Sequence, residues 1–150
     1  MLLEADDAAD PDAAVRGLLR VARRDAVPLR ALLDDEVTRR RVWRVFGASE
    51  GLADFFLRHP DQLSVLEGPL TCLPSADELH ERLLAAVGAE AGFASAADDD
   101  AVVAIRVAYR RNLAAIAAFD LTHPSPQAIV AEVSAALADT SGAALEASLA

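Results

Sequence analysis

The 150-residue chain has no lysine, one cysteine and few aromatic residues (5%). Each scarcity excludes something. A single cysteine rules out an internal disulfide framework and any cysteine-based zinc site. Cys72, between Thr71 and Leu73, reads as a small buried thiol, because nothing nearby would lower its pKa. Few aromatics and only 7 glycines beside 34 alanines disfavour sheet and favour helix. The absence of lysine beside 14 arginines and abundant alanine reflects GC-rich coding DNA rather than a functional demand. No uninterrupted apolar run approaches the ~18 residues of a membrane span, so no membrane association is expected. The opening MLLEADDAADPDA is acidic and lacks the basic start of a signal peptide, so the expected location is the cytoplasm. A net charge of −10 argues against nucleic acid as a partner. What is present is a hydrophobic content of 53% with 25% charged residues, which suits one folded region rather than a disordered tail.

The charge is uneven. Residues 1–12 carry five acids and no base, and residues 13–44 carry nine arginines against four acids. The remainder carries five arginines against fifteen acids. The simple reading is a basic first third facing an acidic remainder. The sharper reading is an anion or partner surface at Arg39–Arg41; charge runs more often solvate a helix face.

Helix punctuation is frequent. Asp10-Pro11 reads as an N-cap followed by proline at N1, opening a helix that ends near Arg24, with Val15, Leu18, Leu19 and Ala22 as its inward stripe. A short helix is expected over Pro28 to Leu33. Asp34 or Asp35 caps a third, burying Thr38, Val42, Val45 and Phe46, with Arg44 in its last turn and Gly47 as the stop. Ser49 starts a fourth helix with Leu52, Phe55 and Phe56 inward. His59-Pro60 breaks it into a further turn carrying Leu63 and Leu66, and Gly68-Pro69 stops that. Ser75 and Glu78 form a capping box ahead of Leu79, Leu83, Ala86 and Val87, and Gly88 ends that helix. Residues 88–97 read as loop. Asp98 to Asp100 cap a long helix with the stripe Val102, Ile105, Tyr109, Leu113 and Ile116. After the break at Thr122 to Pro126, Ser125 caps a last long helix with Ile129, Val130, Val133, Leu137, Leu145 and Leu149 inward, weakened midway by Ser141-Gly142. No strand and no long repeat is legible. The expectation is all-α: seven or eight helices in an antiparallel bundle-like array, with two long C-terminal helices. Residues 1–150 form a single helical region with residues 1–10 flexible.

Chemistry is scarce. His59, His80 and His123 are far apart, and no H-x-x-x-H or E-x-x-H pair supports a metal site. The Asp98–Asp100 run sits at the positive end of a helix, the wrong place for a cation. No phosphate-binding glycine loop or nucleophile elbow occurs. The remaining candidate is Arg106, Arg110 and Arg111. They either pair with acids of neighbouring helices or face a phosphate-bearing ligand or partner, since guanidinium forks suit phosphate.

Three blocks, in order, resemble a known family. Residues 44–63, RVFGASEGLADFFLRHPDQL, resemble the LGxSxxLxDxLxRHPExL segment of the glutamine synthetase adenylyltransferase family, the bifunctional adenylyltransferase/adenylyl-removing enzymes. Residues 104–121, AIRVAYRRNLAAIAAFDL, are similar to its LRxxYRRxLLRIAARDL helix, and residues 131–149 to the helix that follows. The resemblance implies the helical, N-terminal portion of a larger nucleotidyltransferase-type enzyme, most like its AMP-removing half. It implies glutamine synthetase and a PII-type signal protein as partners, together with the rest of the enzyme's own chain. It implies ATP and Mg²⁺ for the whole enzyme, acting at a glycine-rich D-x-D segment that has no counterpart in these 150 residues. No catalytic, cofactor or metal residue is therefore carried over, and the chain alone is expected to be inactive. Phe119-Asp120 stands where the family often has Arg-Asp, and Asn112 to Ala115 replace a more arginine-rich run.

The alternative is a free-standing acidic helical module that binds a basic partner without enzymatic activity. It predicts no exposed apolar patch. The family reading predicts apolar surface left on the last two helices.

Overall fold

The computed structural model describes residues 8–89, 94 and 98–150. Among them are seven α-helices, two 3-10 segments and no strand: α1 (Pro11–Arg24), α2 (Ala26–Asp34), α3 (Glu36–Ala48), α4 (Glu50–Arg58), α5 (Ala76–Ala86), α6 (Asp99–Thr122) and α7 (Val130–Leu149). The 3-10 segments are Pro60–Leu66 and Pro126–Ile129. The all-α expectation holds, with 24 residues in α6 and 20 in α7. The expected flexible start and the 88–97 loop lie largely outside the described residues.

The chain divides into two compact units. The first comprises residues 1–71 and 117–124, the second residues 72–116 and 125–150. α6 thus supplies its last turns to the first unit and the rest to the second.

In the first unit, four helices and a 3-10 segment follow one another with single-residue joints. Asp25 ends α1 and caps α2, Asp35 ends α2 and caps α3, and Ser49 ends α3 and caps α4. Each of these three joints is extended backbone, and its side-chain oxygen accepts an N–H of the next first turn: Val27 at 3.0 Å, Thr38 at 2.8 Å and Leu52 at 3.2 Å; the fourth joint, His59, makes no such bond. Short polar side chains are the ones able to do this without a loop. Asp10 opens α1 in the same way, accepting from the Ala13 N–H at 2.9 Å.

Three expectations fail here. Gly47 is not the stop of α3; the helix runs on to Ala48. A Cβ on Gly47 would stand 2.7 Å from the Ala8 Cβ and 3.0 Å from the Asp10 carbonyl oxygen, so this glycine admits a close approach rather than a left-handed turn. The inward stripe of α1 is Ala13, Ala14, Gly17, Leu18 and Val21, while Val15 and Leu19 are exposed. A Cβ on Gly17 would lie 2.9 Å from Phe46 Cδ1 and 3.1 Å from the Ala53 Cβ. Small residues set the buried phase because α1 lies close over α3 and α4. α2 also starts earlier than expected, at Ala26, because Asp25 caps it. The core residues Val42, Val45, Phe46, Phe55, Phe56, Leu63 and Leu66 are buried as the spacing predicts, with the Phe46 and Phe56 rings stacked at 5.7 Å.

In the second unit, the Ser75–Glu78 capping box forms as read, Gly88 takes the left-handed conformation (φ 60°), and Asp98 accepts the Ala101 N–H at 2.9 Å. Leu79 and Leu83 pack against Ile116, Ala136, Ala143 and Ala147. The stripe expected on α6 holds apart from its first member: Ile105 and Tyr109 pack against the core and Ile116 is buried, while Val102 is exposed, and Asn112 and Ala114 are fully buried beside them. Of the stripe expected on the last helix, only Ile129 and Val133 pack inward. On α7 the buried positions are Ala136, Thr140, Ala143 and Ala147, while Val130, Leu137, Leu145 and Leu149 face outward. In alanine-rich helices the few branched residues do not mark the inner face, since alanine packs as readily. The last helix starts as a 3-10 turn closed on the Ser125 carbonyl, and Ser141-Gly142 leaves it unbroken. By length and hydropathy the stretch Pro126–Leu149 reaches what a membrane span needs, which inspection for uninterrupted apolar runs does not show.

Candidate interaction surface

The basic first third is directed mainly at helix ends. α3 presents Arg39, Arg41 and Arg44, and each donates to carbonyls near the carboxyl end of a different helical segment. Arg39 Nη1 reaches the Leu33 carbonyl of α2 at 2.9 Å, and Arg44 Nη1 reaches the Leu121 carbonyl of α6 at 3.0 Å. Arg41 Nη1 donates to the Leu66 carbonyl that ends the 3-10 segment and to the Gly68 carbonyl at 2.8 Å. Carboxyl ends of helices carry unpaired carbonyls and partial negative charge, so guanidinium groups satisfy both. Arg41 is only 3% exposed, and its burial pulls the guanidinium pKa down, countered by the Asp35 charge. The Asp35 carboxyl is held below the usual carboxylate range, first by the Thr38 N–H and hydroxyl, then by Arg41 and Arg39. Arg40 pairs with Glu36 at 3.1 Å on the surface. Of the two readings of Arg39–Arg41, the anion surface gains no support: Arg39 and Arg41 are turned onto carbonyls of their own unit, and Arg40 is in a solvated ion pair.

The exposed guanidinium groups are on α6. Val102, Arg106 and Arg110 succeed one another at four-residue steps with Val103 beside them, and all four are exposed. Among the described residues, Arg106 and Arg110 have no carboxylate within ion-pair distance, whereas Arg111 is half-buried and engaged. The structure therefore brings two of the three candidate arginines together on a mixed apolar and cationic face and turns the third aside. Arg106 also lines an open cleft of about 510 Å³ whose walls include Val87, Ala101, Ile105 and Ala147, with Asp98 and Ser148 also lining it. Among its described lining residues no nucleophile is paired with a base.

Several features escape sequence reasoning. Asn112 is fully buried, with its Nδ2 donating to the Leu79 carbonyl at 3.2 Å and its Oδ1 accepting from Arg82 at 3.3 Å. His80 Nε2 lies 2.6 Å from Glu146 Oε2, tying α5 to α7. Cys72 is exposed rather than buried, because it sits in the extended connection between the 3-10 segment and α5. Among the described residues no three His, Cys, Asp or Glu side chains converge as metal ligands do. The buried arginine has one sequence signal: Arg41 lies three residues after Thr38 and four before Val45, on the inner face of α3.

No protein-family model matches the sequence, and no solved structure matches it. Curated proteins do. A bifunctional glutamine synthetase adenylyltransferase/adenylyl-removing enzyme of Leifsonia xyli is 52% identical over 143 residues, covering 95% of this chain and 14% of that protein. The enzyme of the same name from Streptomyces coelicolor is 41% identical over 157 residues, covering 100% of this chain and 14% of that protein. Its Mycobacterium tuberculosis namesake is 32% identical over 156 residues, covering 99% and 15%. The chain is thus homologous, over nearly its whole length, to one stretch of the bifunctional glutamine synthetase adenylyltransferase/adenylyl-removing enzymes, a stretch that is about 14% of such a protein.

Proposed function

We propose that residues 1–150 are a non-catalytic helical segment of an enzyme that attaches AMP to glutamine synthetase and removes it, most like the AMP-removing half. The observation that carries this reading is the co-linear identity of 52% over 95% of the chain. The surface supports it: the last two helices expose Val102, Val103, Val130, Leu137, Leu145 and Leu149, as the family reading requires and a free-standing module does not. In this proposal the Val102, Val103, Arg106 and Arg110 face of α6 contacts the rest of the enzyme's chain. Glutamine synthetase, a PII-type signal protein, ATP, Mg²⁺ and a cytoplasmic setting belong to the whole enzyme. This reading places no chemical step in the segment.

The test is a chimera of the Leifsonia xyli enzyme with residues 1–150 in place of its matching stretch. The expected result is retention of both activities. Reversing Arg106 and Arg110 to glutamate is expected to lower phosphate-dependent AMP removal at least tenfold while AMP attachment continues. Loss of attachment alone would assign the segment to the other half, and an inactive but folded chimera would overturn the reading.

A further inference from the structure

We draw no further inference here: the strongest candidate, the open cleft of about 520 Å³ between the end of α2, the start of α3 and residues 67–69, carries nothing, because the Asp35 carboxylate on its wall is already held by the Thr38 N–H and the Arg41 charge, and nothing in the structure shows what covers its apolar side.

Discussion

The two units solve the problem of a mostly helical, alanine-rich chain in opposite ways. The first fills its interior with Phe46, Phe55, Phe56 and branched aliphatics, and it turns three arginines of one helix onto carboxyl ends. The second sets small residues of α7 against α5 and leaves several large apolar side chains of that helix outside. Large buried groups fix one arrangement by shape, and most of that unit's contact potential is already satisfied. A small-residue interior lets backbones approach closely and frees the large residues for contacts elsewhere. The difference teaches where to look for partners: on α6 and α7 rather than on the basic stretch that composition singles out.

The contrast is broken most sharply by deletion. Phe46→Ala, which empties a fully buried stacked ring, is expected to cost about 4 kcal/mol in urea unfolding. Thr140→Val, at the centre of the α7 seam, is expected to fall within about 1 kcal/mol of the parent or above it. The Thr140 hydroxyl is buried without a partner among the described residues, and the swap removes it. Equal costs at the two sites would erase the distinction.

Next comes the arginine pair. Arg41→Ala strands the Leu66 and Gly68 carbonyls and is expected to cost about 3 kcal/mol, whereas Arg40→Ala, which loses one surface ion pair, is expected to cost at most about 0.5 kcal/mol. Calorimetric melting of both variants checks this.

Glycine gives opposite signs in the two units. Gly17→Ala forces a methyl against Phe46 and is expected to destabilise by about 1–2 kcal/mol despite alanine's helix preference. Gly142→Ala, exposed in mid-helix with open space around it, is expected to stabilise by about 1 kcal/mol.

The smallest effect is on pH dependence, through one capping carboxylate taken from each unit. The Asp35 and Glu78 carboxyls are both held below their ordinary pKa, Asp35 chiefly by the Thr38 N–H and Glu78 chiefly by the Ser75 N–H. A depressed folded pKa gives stability that is complete above the unfolded value and lost as pH falls through the folded one. Urea midpoints are therefore expected to drop on the acid side. Asp35→Ser, which keeps a cap that does not titrate, and Glu78→Gln are each expected to flatten that limb.

Helix ends were the legible part of the fold. Asp10, Asp35, Ser49, Ser75 with Glu78, and Asp98 cap as their spacing says, because capping is local chemistry between residues two or three apart. Inner faces were legible on α3, α4 and α5, where large residues are few and periodic. On α6 the face was legible through Ile105, Tyr109 and Ile116; on α1 and α7 it was largely not, because Ala14, Gly17, Thr140 and Ala143 are buried by tertiary approach that no hydropathy pattern records. Of the candidate residues, Arg106 and Arg110 share a face and Arg111 lies one step round, as their spacing says. That the shared face is exposed was not legible, since it depends on how the unit packs.

The proposal to be tested first is that these 150 residues act through contact surfaces and carry no chemistry of their own. The most direct measurement incubates the isolated chain with adenylylated glutamine synthetase, phosphate and Mg²⁺ and follows release of the nucleotide. The account predicts release no faster than in the protein-free control. Turnover that scales with the concentration of the chain would contradict it.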